Sequence, residues 1–269
     1  MKFQIYGPQT QIRADTELEQ RILNDPTTSS KLAFIQQSNE DSEYVFHLHN
    51  EDIDPEIDIK NKEGRMRIVP DGFTVYLLRV IADALQVKSG NIPLHASCIN
   101  VEGINYVIIG NTKSGKSAVA NILKQEYHGT IIGDDHIIFS ESEVFGNQYL
   151  RMRDRINDNS YYLKNTLGVS QVNSYSIIWV DIKGVEDYKI VPASHFVETQ
   201  NFSPAILKYL ANSLRIGENL IPISELVGEE VQKSYYQSFQ QFAHKAKEII
   251  ILGGSLDYMV NKIMRVEKK

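Results

Sequence analysis

The chain has one cysteine, Cys98, among its 269 residues, so it cannot form an internal disulfide. Chains without disulfides are typical of a reducing compartment, and we expect a cytoplasmic protein. No apolar run approaches the roughly 20 residues of a membrane span, and the N-terminal residues lack the apolar core of a signal peptide. The formal net charge of -6 argues against a general nucleic-acid-binding protein. We therefore expect neither nucleic acid nor a membrane as a partner.

The sequence does contain a glycine-rich octapeptide at residues 110–117, which reads Gly-Asn-Thr-Lys-Ser-Gly-Lys-Ser. It matches the pattern of the phosphate-binding loop. The apolar run at 106–109 predicts a strand before it, and residues 117–124 predict a helix after it. Glycines let successive N–H groups converge on an anion, and a helix N-terminus adds partial positive charge. We predict that nucleotide phosphates bind to Gly110, Asn111, Thr112, Lys113, Ser114, Gly115, Lys116, Ser117 and Ala118.

Two adjacent carboxylates follow the loop helix. Residues 129–139 predict a strand that Asp134 and Asp135 interrupt. Buried carboxylates are costly without partners, and Mg²⁺ together with a substrate hydroxyl would explain both. A solvent-exposed Asp-Asp turn is the alternative. Asp181, at the end of a predicted strand over 176–181, competes with the pair for the metal. Lys116 is expected to reach the β- and γ-phosphates, and the Ser117 hydroxyl to bind Mg²⁺.

The N-terminal third has the alternation of half-buried antiparallel strands, as in Tyr44, Phe46 and Leu48. Apolar residues at helical spacing then predict a helix over 73–88. We predict a domain boundary after it, which separates a β-rich N-terminal module (1–89) from a catalytic domain (90–269). His47 and His49 share one strand face, where a solvated surface is favoured over a metal pair because no third ligand is evident.

Further elements are predicted in the second half. Residues 92–101 and 104–109 predict a hairpin, with His95 near its start. Arg151, Arg153 and Arg155 alternate along another predicted strand and could hold phosphates, or could line a solvated edge. Ser-Pro at 203–204 predicts a helix start, with the helix running to about residue 214. A helix over 229–247, a strand over 248–254 and a final helix after residue 255 complete an α/β pattern.

Several of these motifs together resemble the HPr kinase/phosphorylase family. They are the Leu94-His95-Ala-Ser stretch, the hairpin, the glycine loop and the Gly-Asp-Asp at residues 133–135. The N-terminal part does not resemble that of the full-length HPr enzymes. The chain is therefore more similar to the shorter relatives, which include kinases that phosphorylate serine in ribosomally made peptides such as lasso peptides.

The resemblance implies an α/β fold with a P-loop kinase core of the HPr kinase and phosphoenolpyruvate carboxykinase type. It implies an ATP- and Mg²⁺-dependent serine/threonine kinase for a peptide or protein, and a homo-oligomer like the hexameric HPr enzymes. By the family pattern, Asp134 is the base for the acceptor hydroxyl, His95 and Lys116 are catalytic, and Ser117 binds Mg²⁺ with Asp135 beside it. The family's metal-binding glutamate has no counterpart in residues 155–160. Asp154, Asp158 and Asp181 are the carboxylates that could replace it.

Two other functions are consistent with parts of the sequence. A small-molecule kinase also carries carboxylates shortly after the loop helix, but the hairpin with His95 is not part of that architecture. A non-catalytic nucleotide sensor would leave two adjacent aspartates without a role, and the chain has no Asn-Lys-x-Asp motif for guanine. Phosphate gain on a peptide, phosphate gain on a metabolite, or binding without transfer would distinguish the three.

Overall fold

A computed structural model describes residues 2–4, 9–13, 26, 36–37, 44–49, 56–58, 61, 63–67, 73–147, 149–153, 160–165, 168–200, 213–216 and 219–266. The fold is mixed α/β, as expected, with five helices among these residues. The chain divides into two compact units, each built from more than one segment. The first comprises Met1–Pro93, Asn147–Thr166 and Tyr209–Tyr235, and the second comprises Leu94–Gly146, Leu167–Lys208 and Tyr236–Lys269.

The elements follow one another along the chain in an order that mixes strands and helices throughout. They are β1 (Lys2–Gln4), β2 (Gln9–Arg13), β3 (Gln36–Gln37), β4 (Tyr44–His49), β5 (Glu56–Asp58), β6 (Glu63–Arg67), α1 (Phe73–Lys88), β7 (Ile92–Leu94), β8 (Ser97–Val101), β9 (Ile104–Ile109), α2 (Lys116–Glu126), β10 (Thr130–Gly133), β11 (Ile137–Phe139), β12 (Glu143–Phe145), β13 (Tyr149–Arg153), β14 (Ser160–Lys164), β15 (Val169–Gln171), β16 (Tyr175–Asp181), β17 (Asp187–Ile190), α3 (Ala193–Gln200), β18 (Ser213–Ile216), β19 (Asn219–Pro222), α4 (Ile223–Lys245), β20 (Ile249–Gly253) and α5 (Leu256–Val266).

The first unit contains a six-stranded sheet in the order β3-β1-β2-β4-β6-β5. Strand β1 is antiparallel to β2 and β3, and β5 is antiparallel to β6. The prediction of antiparallel strands is wrong at the centre, where β4 is parallel to both β2 and β6. Alternation indicates which side chains share a face of a strand. It says nothing about the direction of the neighbouring strand, which depends on the connections.

Helix α1 of the first unit has the bounds that its periodicity predicted. Ala82 and Leu85, from the predicted apolar face, are buried. Arg79, Asp83 and Gln86 are buried as well, so the helix is enclosed on more than one side. An amphipathic pattern identifies the face that must be buried but not whether polar side chains are enclosed with it.

Two later segments also belong to the first unit. One contains β13 and β14, an antiparallel pair in which Arg151 lies opposite Tyr162 and Arg153 opposite Ser160. Residues 154–159, with Arg155, lie outside the described residues. The other segment contains β18 and β19. The boundary after residue 89 stays a prediction, since the compact units divide between Pro93 and Leu94 and continue in these later segments.

The helix predicted from residue 203 to about residue 214 is wrong at its end. Residues 201–212 lie outside the described residues, but Ser213–Ile216 is a strand, antiparallel to Asn219–Pro222. Hydrogen bonds to a neighbouring strand there replace those of a helix. Helix α4 covers most of the predicted helix over 229–247, with non-helical backbone at Gly228.

The second unit is built on a six-stranded sheet in the order β10-β8-β9-β16-β20-β17. Strands β9, β16 and β20 are parallel. Strand β8 is antiparallel to both β9 and β10, so β10 runs in the same direction as β9. The carboxyl ends of β10, β9, β16 and β20 therefore lie at one edge of the sheet, and β8 begins there. Buried aliphatic side chains of β9, β16 and β20 fill the core of this sheet.

The predicted hairpin is correct in its second strand and turn but not in its first strand. Residues 92–101 form two strands, β7 and β8, which belong to different sheets. His95 and Ala96 separate them. Strand β8 pairs with β9 from Ser97↔Ile108 to Val101↔Ile104, so the turn at Glu102–Gly103 is confirmed.

The other predicted elements of the second unit are observed. Strands β10, β11, β16 and β20 and helices α2 and α5 lie within a few residues of the predicted bounds. Ser255 caps α5, because its Oγ accepts a hydrogen bond from the Tyr258 N–H (3.3 Å). Across the helices that the structure describes, no stretch combines the length and apolar character needed to cross a membrane.

Candidate active site

The common edge of the second sheet brings together segments that are far apart in sequence. Strand β9 ends at Ile109 and leads into the glycine loop at residues 110–117, while β10 ends at Gly133 and leads into Asp134. Strand β8 starts at Ser97 beside both, in the registers Ser97↔Ile108 and Cys98↔Gly133. In open sheets with parallel strands, ligands bind outside the carboxyl ends of the strands. We therefore expect a ligand-binding site at this edge.

The glycine loop has a backbone that only glycine tolerates at its two motif glycines. Gly110 has φ 156°, and a Cβ on it would overlap Ser114 Oγ and the Val180 carbonyl. Gly115 has φ 102°, and a Cβ on it would overlap the Ile182 side chain. The Ile182 N–H also donates to the Ser114 carbonyl (3.0 Å). The segment after β16 thus packs against the glycine loop, and the motif did not predict this contact.

Lys116 begins helix α2 and closes the loop. Its Nζ donates to the Gly110 carbonyl (2.9 Å) and to the Asn111 carbonyl (3.0 Å), and the side chain is buried. Gly115, directly before the helix, has no side chain that could cap the first N–H groups of α2. A helix start of this kind presents its N–H groups and a partial positive charge to an anion.

Asp134 is held by two hydroxyl groups. Ser97 Oγ donates to Asp134 Oδ1 (2.5 Å), and Ser117 Oγ donates to the same oxygen (2.9 Å). Desolvation by the surrounding protein, and to a smaller extent the charge of Asp135, raise the pKa of Asp134, while the two hydroxyls and Lys116 act in the opposite direction. The predicted base and the predicted metal ligand Ser117 are thus in direct contact.

Asp135 has a different partner. His95 Nε2 lies 3.1 Å from Asp135 Oδ1, with the histidine buried and the carboxylate 45% exposed. Asp135 has φ 65°, a left-handed conformation that turns consecutive aspartates in different directions. The family pattern implied only that His95 is catalytic. The structure places its Nε2 against Asp135 Oδ1.

Asp181 lies at the same edge, but its side chain stabilises the turn that follows it. Its Oδ1 accepts a hydrogen bond from the Lys183 N–H (3.0 Å). Its carbonyl accepts from the N–H groups of Gly184 and Gly254, both at 3.2 Å. Asp134, rather than Asp181, is the carboxylate that contacts Ser117.

The oxygen atoms at this edge fit Mg²⁺ in the way that nucleotide sites hold it. Ser117 Oγ and the Asp134 carboxylate are hard oxygen donors 2.9 Å apart, and Asp135 follows in sequence. Within the part of the chain that the structure describes, no three His, Cys, Asp or Glu side chains form a metal cluster. Mg²⁺ in nucleotide sites needs no such cluster, because substrate phosphates and water supply most of its ligands.

The other predicted candidates lie elsewhere. Arg151 and Arg153 are in the first unit, as are His47 and His49 on β4. Cys98 is buried, and burial raises the pKa of its thiol far above the usual range. Ser97 is part of the Leu94-His95-Ala-Ser stretch, but the sequence predicted no role for it. A hydroxyl directly before the apolar residues Cys98 and Ile99 was the available signal.

This edge of the sheet thus combines an anion-accepting loop, a buried lysine and two carboxylates with different partners. No family model matches the chain, and no curated protein matches it.

Proposed function

We propose that this chain is an ATP- and Mg²⁺-dependent kinase that phosphorylates a serine or threonine hydroxyl of a peptide or protein. In this proposal the second unit is a P-loop kinase core of the HPr kinase type. The observation that carries it is the 2.9 Å contact between Ser117 Oγ and Asp134 Oδ1 at the start of the helix after the glycine loop. It joins a phosphate-binding loop to a carboxylate that can take a proton.

The loop supplies the binding of the nucleotide. The N–H groups at the start of α2 and in the loop would surround the β- and γ-phosphates of ATP. Lys116 donates hydrogen bonds to the Gly110 and Asn111 carbonyls of this loop. It would turn its ammonium group to those phosphates. Ser117 Oγ would help to hold Mg²⁺, which would supply positive charge to the phosphoryl group.

Asp134 is our candidate for the proton acceptor. The acceptor hydroxyl oxygen attacks the γ-phosphorus while the bond from that phosphorus to the β–γ bridging oxygen breaks. The hydroxyl proton passes to the Asp134 carboxylate, and the products are ADP and the phosphoester. Desolvation raises the pKa of Asp134, which makes it a better base than an exposed aspartate. Ser97 and Ser117 keep the carboxylate in one orientation.

The His95–Asp135 pair is placed to assist at the same edge. His95 Nε2 lies 3.1 Å from Asp135 Oδ1 and orients this exposed carboxylate. Asp135 directly follows Asp134 in the sequence. We assign Asp135 a role beside the metal, as in the family that the sequence resembles. His95 then holds Asp135 in place.

The choice of a peptide hydroxyl as acceptor depends on the resemblance of residues 94–135 to peptide and protein kinases of the HPr type. The test is incubation of the full chain with ATP, Mg²⁺ and the peptides or proteins encoded in neighbouring genes, followed by mass spectrometry. We expect one peptide to gain a phosphoryl group on a serine or threonine. Phosphate gain on a metabolite alone, or nucleotide binding without transfer to any acceptor, would contradict the proposal.

Two variants test the assignment of the base. Asp134→Asn should keep the nucleotide binding that does not depend on Mg²⁺ and lose transfer, because an amide cannot take the proton. Asp181→Asn should keep most of the transfer, because that side chain accepts a hydrogen bond from its own turn. Normal transfer by Asp134→Asn together with loss in Asp181→Asn would show that the carboxylate assignment is wrong.

A further inference from the structure

Ser97 is a completely buried hydroxyl at the first position of β8. Strand β8 pairs with β9 on one side, where Ser97 lies opposite Ile108, and with β10 on the other, where Cys98 lies opposite Gly133. Two ladders therefore hold the backbone that carries this hydroxyl. Side chains on rigid strands position their partners better than side chains on loops do.

Ser97 and Ser117 converge on one oxygen atom. Ser97 Oγ is 2.5 Å and Ser117 Oγ is 2.9 Å from Asp134 Oδ1. An ionised carboxylate only accepts hydrogen bonds, so each serine donates its single proton to it. Because the Ser117 proton then points to Asp134, the lone pairs of Ser117 Oγ are directed elsewhere and can face a cation.

We propose that Ser97 is a positioning residue that fixes the Asp134 carboxylate against Ser117 and thereby strengthens the Mg²⁺-dependent binding of nucleotide at the glycine loop. The proposal rests on the proposed function, since it requires that the loop binds a nucleotide with Mg²⁺. Ser97 is 0% exposed and so acts only through Asp134 and Ser117. Without the Ser97 hydroxyl, the Asp134 carboxylate would be able to rotate, and the Ser117 hydroxyl would no longer be held in one orientation.

A second buried serine on the same sheet provides a matched control. Ser176 lies on β16, is 1% exposed, and its Oγ has no hydrogen-bond partner among the described residues. Ser97→Ala and Ser176→Ala remove the same atom from equally buried strand positions. Only the first removes a contact with Asp134.

The experiment measures the Kd of a non-hydrolysable ATP analogue for the full chain, once with Mg²⁺ and once with a chelator. The readout is the ratio of the two constants, which needs no acceptor. Loss of a group that orients a metal ligand typically lowers metal affinity about 10- to 100-fold. We expect Ser97→Ala to reduce the Mg²⁺ enhancement about 10-fold, with an unchanged Kd in the chelator. Ser176→Ala should behave as the wild type, and Ser97→Thr should retain most of the enhancement.

The outcomes separate this proposal from the proposed function. A wild-type chain that binds no nucleotide in either condition overturns both. A wild-type chain with Mg²⁺-enhanced binding, and a Ser97→Ala variant with the same enhancement, overturns the role of Ser97 alone, even if that variant melts at a lower temperature. If Ser97→Ala does not fold, Ser97→Cys replaces it, because a thiol of similar size donates weakly.

A double-mutant comparison tests whether Ser97 works through Asp134. Adding Ser97→Ala to Asp134→Asn should lower the Mg²⁺ enhancement no further than Asp134→Asn alone, since residues that act through one partner are not additive. If Ser97→Ala reduced the Mg²⁺ enhancement as much in the Asp134→Asn variant as in the wild type, Ser97 would not act through Asp134.

Discussion

At the scale of single residues, the glycine loop is in contact with the end of β16 and with the segment after it. Ile182 occupies the space beside Gly115, and Val180 occupies that beside Gly110. Lys116 stabilises the same loop from within, through two of its carbonyls. The loop is thus stabilised both by neighbouring residues and by its own lysine.

Lys116→Met should abolish phosphoryl transfer and leave the fold intact. Methionine keeps the apolar stem of this buried side chain but removes the ammonium group. Loss of one such group that faces the developing charge typically lowers kcat about 100-fold or more. Lys124→Met, at an exposed position of the same helix, is the control and should leave transfer unchanged. Transfer is measured by mass spectrometry, and a Lys116→Met variant of normal activity would contradict the assignment.

Gly115→Ala should destabilise the protein more than Gly103→Ala does. Both glycines have positive φ, 102° and 87°, so each substitution carries a backbone cost of about 1–2 kcal/mol. Only the Gly115 Cβ would overlap a neighbour, Ile182, whereas nothing lies within 4 Å of a Cβ at Gly103. We expect overpacking to add about 1–3 kcal/mol at Gly115. Denaturant unfolding gives both values, and equal losses would exclude the packing contact.

At the scale of elements, the site depends on strand direction. Strands β10, β9, β16 and β20 point the same way, so the loops after them share one edge. Strand β8 runs against them and begins at that edge, which explains why Ser97 and His95 approach residues that lie near 134. Helices α2 and α5 start there as well, directly after the loops that follow β9 and β20.

Ser255→Ala should weaken helix α5. The hydroxyl accepts the hydrogen bond of the Tyr258 N–H, and loss of such a cap typically costs about 1 kcal/mol. Asn261→Ala, at an exposed position of the same helix, should change stability by less than about 0.5 kcal/mol. Thermal unfolding of the two variants tests the difference, and equal Tm values would argue against the cap.

At the scale of the whole molecule, the candidate site lies entirely within the second unit. His95, Ser97, Ser117, Asp134 and Asp135 all belong to Leu94–Gly146. The first unit contributes none of these side chains. A ligand that binds only the folded site stabilises the unit that holds it.

Hydrogen exchange should report this division. With Mg²⁺ and a non-hydrolysable ATP analogue, we expect slower exchange at residues 110–118, because phosphates would accept hydrogen bonds from those N–H groups. The sheet of strands β1–β6 should exchange at an unchanged rate. Lys116→Met is the control, in which the protection should disappear. Equal protection throughout both units would contradict a site confined to the second.

Much of the second unit was predictable because its signals are local. The glycine loop, the strand before it and the helix after it follow from local residue type and spacing, as does the final helix after residue 255. The wrong predictions concern partners that lie far along the chain. Parallel pairing of β4, the break between β7 and β8, and the strand at Ser213–Ile216 each depend on a neighbour that periodicity does not identify.

The sequence by itself determined that a glycine-rich loop lies between a strand and a helix and that two carboxylates follow it, because residue type and spacing carry both signals. Only the tertiary structure decided that Ser97 and Ser117 meet at Asp134 while His95 meets Asp135. Those contacts join residues up to 40 positions apart, from His95 to Asp135. They depend on the order and direction of β8, β9 and β10, which long-range packing sets and local pattern does not.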